Sequence, residues 1–149
     1  MKRFKFRLDR VLQLRQMAED EAAREVTLAQ QAAERTALEA GAAERALLHA
    51  VAQTADYAQG TTVGVLSAMR MSLDGARERV RLTNEMLVQS QQVVERRLEA
   101  WRTARGEREA LEKLKTQRKD VWTSEVNRAE QADIDEVALR SRFDMGDQE

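Results

Sequence analysis

The chain has 149 residues, no cysteine, no proline and a net charge of −1, with 34% of its residues charged. Much of its 42% apolar content is alanine, which buries little area, and the aromatic residues are only Phe4, Phe6, Tyr57, Trp101, Trp122 and Phe143. These features exclude a disulfide framework and a thiolate metal site, argue against a compact core, and match the composition of long helices and coiled coils.

No apolar run approaches the roughly 18 residues that cross a bilayer. The basic start Lys2-Arg3-Phe4-Lys5-Phe6-Arg7 resembles a signal peptide only superficially, because Asp9, Arg10 and Gln13 interrupt the apolar stretch that should follow. The expectation is therefore a cytoplasmic protein with no transmembrane segment. Charge is segregated: residues 1–15 carry net +5, 16–64 net −5, 65–128 net +4 and 129–149 net −5.

The first turns set Phe4, Leu8, Val11 and Leu12 against Lys5, Arg7 and Arg10. That pattern suits either the beginning of a helical hairpin or a peripheral membrane contact. From Leu14 small apolar residues recur at Ala18, Ala22, Val26, Ala29, Ala33, Ala37, Ala40, Ala43, Leu47, Val51, Ala55 and Ala58. Their period of about 3.67 predicts a nearly straight or slightly right-handed first helix over about 5–58, with Gly41 as a soft spot and Asp20 paired with Arg24.

Two glycines and two threonines cluster in Gln59-Gly60-Thr61-Thr62-Val63-Gly64, which predicts a reversal over 59–64. Gly60 supplies a left-handed C-cap, and Thr61 or Thr62 supplies an N-cap for a second helix over about 65–142. That helix opens on a heptad, Leu66, Leu73, Val80, Leu87, Val94 and Trp101, whose companion rail of Met69, Ala76, Thr83, Ser90, Arg97 and Ala104 is poorer. Past Gly106 the phase is expected to shift to Leu111, Leu114, Val121 or Trp122, and Ala129.

If the arms pair antiparallel about the turn, Leu8 faces the neighbourhood of Thr116. The end of the second arm then overhangs the first, carrying Val126, Ala129, Ile134, Val137 and Leu139. A frayed tail is expected over 143–149. The fold class is all-α: a single domain over 1–149 formed by a long antiparallel two-helix coiled-coil hairpin with a C-terminal helical overhang. An isolated helix of that length needs a docking partner.

Chemistry has little to work with. His49 is the only histidine, has no converging ligands, and reads as an exposed helix residue. No catalytic constellation, phosphate loop, cofactor site or metal site is expected, so the chain reads as a non-enzyme. The stretch from Arg96 to Lys119 holds nine basic and four acidic residues. Interleaved Glu99, Glu107, Glu109 and Glu112 make it a solvated face with pairs such as Glu109 with Lys113, in preference to a nucleic-acid stripe.

Two stretches carry a resemblance. The opening Phe4-Lys5-Phe6-Arg7-Leu8-Asp9-Arg10-Val11-Leu12-Gln13-Leu14-Arg15, with Glu19-Asp20-Glu21-Ala22-Ala23 after it, resembles the start of FliJ proteins of the bacterial flagellum. Trp101, then Leu111-Glu112-Lys113-Leu114-Lys115, then Arg128-Ala129-Glu130-Gln131-Ala132-Asp133-Ile134-Asp135-Glu136-Val137-Ala138 with Arg140, resemble that family's closing signatures.

The resemblance implies a soluble stalk-like component of the flagellar type III export apparatus, similar to the central stalk of rotary ATP synthases. It would lie in the cytoplasm, peripheral to the inner membrane. The implied partners are the hexameric export ATPase, the cytoplasmic domain of the export gate and export chaperones. The overhang is the candidate ATPase contact, through Arg128, Glu130, Gln131, Asp135, Glu136 and Arg140, because it extends past the first arm with apolar residues and carboxylates; the resemblance points to the same end. The apolar stripe Met69, Leu73, Ala76 and Val80, just past the turn, is the candidate gate contact. The other readings of the same residues are a generic structural coiled coil, such as a non-flagellar type III secretion stalk, and a basic-patch nucleic-acid binder.

Overall fold

The computed structural model describes residues 3–57, 60 and 62–146, without the side chains of 139–146. Two helices make up the fold: α1, Asp9–Tyr57, and α2, Val63–Gly146. No strand occurs among the described residues. The chain is an all-α helical hairpin, as its composition predicts. Two compact units divide it, Met1–Met17 with Arg105–Glu149, and Ala18–Ala104.

In the second of these units the seam is built on alanine. Val26, Ala29, Ala40 and Ala43 are buried, the last two at 3% and 5% exposure. Half-buried Ala22, Ala33, Thr36, Leu47, Ala50 and Thr54 complete the stripe. The spacing alternates three and four, which is a heptad, and the expected period of 3.67 is wrong. Ala18, Ala37, Val51 and Ala55 of the predicted stripe are exposed, whereas Thr36, Ala50 and Thr54 face inward.

The error has a physical cause. Alanine is so frequent here that several phases fit, and the true one includes threonines that hydropathy discards. A helix hides their hydroxyls: Thr36 Oγ1 donates to the carbonyl of Ala33 at 2.9 Å and Thr54 Oγ1 to that of Ala50 at 2.8 Å.

The facing stretch of α2 presents both predicted rails half-buried as far as Trp101 and Ala104, except for exposed Leu66 at the start of the first rail, next to the reversal, and exposed Arg97. Thr36 and Ser90 meet hydroxyl to hydroxyl at 2.8 Å, and Arg97 meets Glu25 at 3.4 Å. The arms are antiparallel. Polar positions in the weaker rail thus find partners across the seam or on their own helix.

The other unit holds residues 1–17 against the distal part of α2. Arg15 pairs with Glu107 at 2.6 Å and Asp9 with Lys115 at 2.6 Å, close to the register that put Leu8 by Thr116. Residues 3–6 are not helical, and α1 starts at Asp9, whose amide donates to the carbonyl of Phe6 at 3.2 Å. Phe4 and Phe6 are half-buried while Lys5 and Arg7 are exposed, an alternation of two that belongs to extended chain and not to the helical start read from about residue 5.

Past Gly106 the expected Leu111, Leu114 and Trp122 are half-buried, whereas Val121 is 53% exposed and Ala129 is exposed; the seven-residue spacing also continues through half-buried Arg108 and Lys115, which the expected shift left out. Cations occupy seam positions because their aliphatic stems can lie along the groove while their heads reach carboxylates. Lys115 does this toward Asp9, and Arg108 pairs with Glu112.

At the reversal Gly60 has φ +89°, the left-handed conformation read from the sequence. Ala58, Gln59 and Thr61 lie outside the described residues. Val63 already begins α2, with the Leu66 amide bonded to the Thr62 carbonyl at 3.1 Å, so Gly64 belongs to the helix and not to the turn. Gly41 interrupts nothing; α1 passes through it.

Candidate partner-binding surfaces

The sequence points to two stretches of α2. Along the first, Met69, Leu73, Ala76 and Val80 are each half-buried in the seam of their unit. They form one continuous edge at three- and four-residue steps, partly covered by α1 and partly open. Around them the helix exposes Val65, Leu66 and Met71, the last at 74%.

Flanking this edge is an ion-pair cluster in which Arg81 joins Glu78 and Glu85. The hydrogen bond from Arg81 holds the Glu78 carboxyl below its ordinary range and raises the guanidinium further. Pairs of this exposed kind fix side-chain geometry more than they add stability.

Along the second stretch, all residues from Asn127 to Ala138 are exposed. Arg128, Glu130, Gln131, Asp135 and Glu136 are among them, and Gln131 Nε2 donates to Asp135 Oδ1 at 3.0 Å. The side chains of Arg140 and Leu139 lie outside those described. Ile134 and Val137 stand at 62% and 67% exposure, large apolar side chains beside a row of carboxylates.

At about 100° per residue, Val126, Ala129, Ile134 and Val137 spread over roughly 140° of α2, with Glu130 and Asp133 interleaved among them. Ala129, at one edge of that arc, also continues the heptad of Arg108, Lys115 and Trp122.

Several side chains escaped the sequence reading. Phe4 packs on Trp122 with ring centroids 5.9 Å apart and planes tilted by 50°, and the Lys115 ammonium lies 6.0 Å from the centre of the Phe6 ring. Between the 4–8 segment and α2 runs an open groove of about 710 Å³ lined by Leu8, Leu114, Val121 and Trp122, with Lys5, Arg7 and Arg118 at its edges. The period-two alternation of Phe4 and Phe6 was the available signal for this packing.

His49 is exposed on α1. No group of three or more metal-ligating side chains converges among the described residues, and no helix there is long and apolar enough to cross a membrane. The pair expected between Asp20 and Arg24 is replaced by Arg24 with Glu21 at 3.3 Å. Glu109 meets Arg105 at 2.7 Å, and the expected Lys113 adds a favourable charge to it without a direct ion pair.

The fold is an all-α helical hairpin of two long helices with apolar side chains exposed along both. The family model described as Flagellar FliJ protein matches residues 4–144, and the chain belongs to that family. Membership makes it a flagellar export component of a non-enzymatic family. No curated protein and no solved structure matches the chain.

Proposed function

We propose that this chain is a stalk-like component of the flagellar type III export apparatus, working in the cytoplasm at the inner membrane. It binds the export ATPase through the end of α2, engages the cytoplasmic domain of the export gate through the Met69, Leu73, Ala76 and Val80 edge, and assists export chaperones. The observation that carries the ATPase assignment is the stretch from Asn127 to Ala138, exposed throughout and bearing Ile134 and Val137 among carboxylates. A helix of this kind lowers its free energy by docking. The carboxylates of Glu130, Asp135 and Glu136 suit a basic rim, where such contacts mainly govern association rate and salt dependence. Exposed Arg128 and Gln131 belong to this surface, and Arg140, assigned to the same contact, follows in the sequence.

Binding of the purified ATPase to the full chain, followed by sedimentation in rising salt, tests the assignment. Glu130→Lys with Asp135→Lys should slow association at least tenfold at low salt. Unchanged association would remove the ATPase from this end. The gate contact is tested separately by Leu73→Asp, which should abolish capture of the gate's cytoplasmic domain while α-helical content falls little. Loss of helicity instead would make Leu73 a seam residue only.

A further inference from the structure

Positions of the α2 seam continue beyond the reach of the first arm. The unit containing residues 1–17 and 105–149 uses Leu111, Lys115 and Trp122 of α2 against the N-terminal segment, and Phe4 on Trp122 is the last ring contact along it. Seven-residue steps carry the same face on through Glu125, Ala129, Ala132 and Glu136, all of them exposed. The two middle positions are alanine, which admits a second helix at close range, and a glutamate stands at each end.

Charge selects the occupant and its direction. Lys5, Arg7 and Arg118 edge the groove beside Trp122 and form no ion pair among the described residues. Glu130, Asp133, Asp135 and Glu136 crowd the next three turns. Because α2 is unbroken to Gly146, these carboxylates lie farther along the same helix than the groove and cannot fold back into it. Another copy can bring them there.

We propose that two copies of this chain associate through an antiparallel α2–α2 contact that extends the intrachain seam. One copy's Trp122 lies over the other's Ala132, and Arg118 lies beside the other's Glu136. The two-fold axis near Asn127 repeats each contact. Large meets small, and the cationic groove meets the acidic end. A parallel arrangement would set like charge on like. This dimer is independent of the export ATPase, although it would cover part of the surface assigned above to that partner.

Sedimentation velocity of the full chain alone, over a concentration series at low and high salt, provides the test. The expected result is a reversible dimer that salt weakens. Arg118→Glu and Glu136→Arg should each weaken it about tenfold or more, because both symmetry-related pairs become repulsive. Circular dichroism should show unchanged helicity, since Arg118 and Glu136 are exposed. An equimolar mixture of the two variants should recover the dimer, as each copy then offers the charge its partner lacks. A chain that stays monomeric throughout, or dimers indifferent to both variants, would overturn the proposal. So would a monomer whose groove binds only anionic vesicles or an unrelated acidic helix.

Discussion

Arg108 and Lys115 stand at seam positions that a hydropathy pattern reserves for apolar side chains, and each is held by a carboxylate: Glu112 for the first, Asp9 for the second. Reading the distal part of α2 for leucine alone therefore moves the phase, because the information lies in stem length and partner charge. Trp122 is the one large apolar group in this stretch of the rail. Trp122→Ala should cost about 1–2 kcal/mol, less than a core aromatic because the ring is only half-buried. Thermal melts of the two proteins measure it, and an unchanged midpoint would mean that the Phe4 contact contributes nothing.

Acid should also loosen the helix surface. Hydrogen bonds from Arg81 and Arg105 lower the folded-state pKa of Glu78 and Glu109 respectively from the ordinary 4.5. A depressed carboxyl contributes stability above its unfolded value and loses it as pH falls through the folded one. Stability should therefore be flat above about pH 5 and decline below 4.5. A urea series across that range, with Glu78→Gln with Glu109→Gln as the reference, should show a smaller decline in the variant.

At the scale of the element, the helices, the reversal at Gly60 and the antiparallel register were legible in the sequence. Each depends on local chemistry: absence of proline, glycine clustering and heptad leucines. The phase of α1 was not, since alanine fills candidate positions on more than one face and Thr36 and Thr54 hide their hydroxyls on their own backbone. Charge reversal of the question makes it measurable. Ala40→Glu, at a site 3% exposed, should cost several kcal/mol, whereas Ala37→Glu should cost about 0.5 kcal/mol or less. Equal losses would return the seam to the 3.67 period.

Glycine gives a second check on α2. A Cβ added at Gly75 would meet nothing within 4 Å, so Gly75→Ala should stabilise by about 1 kcal/mol through helix propensity alone. Gly60→Ala should do the opposite by about the same amount because of its φ of +89°. Chemical denaturation of both variants reads these signs directly.

For the whole molecule, the sequence revealed an exposed helical end and a seam edge past the turn, but not how the apolar groups of that end interleave with its carboxylates. Val126, Ile134 and Val137 interleave with Glu130 and Asp133 on one arc of α2, and Ala129 at its edge extends the heptad with Ala132. The aromatic groove at the other side of Trp122 was missed because Phe4 and Phe6 were assigned to a helical start, and their extended alternation places both rings on α2.

Truncation after Glu125 tests the central claim most directly. It removes the exposed end of α2 and leaves every interhelical pair described above, from Thr36 with Ser90 to Phe4 with Trp122. Helicity per remaining residue and stimulation of the cognate export ATPase should be measured on the same preparation. The account predicts a hairpin of unchanged helicity that no longer stimulates the ATPase. A truncated chain that stimulates as well as the full one would contradict it and would place the contact elsewhere, first on the basic segment from Arg3 to Arg10.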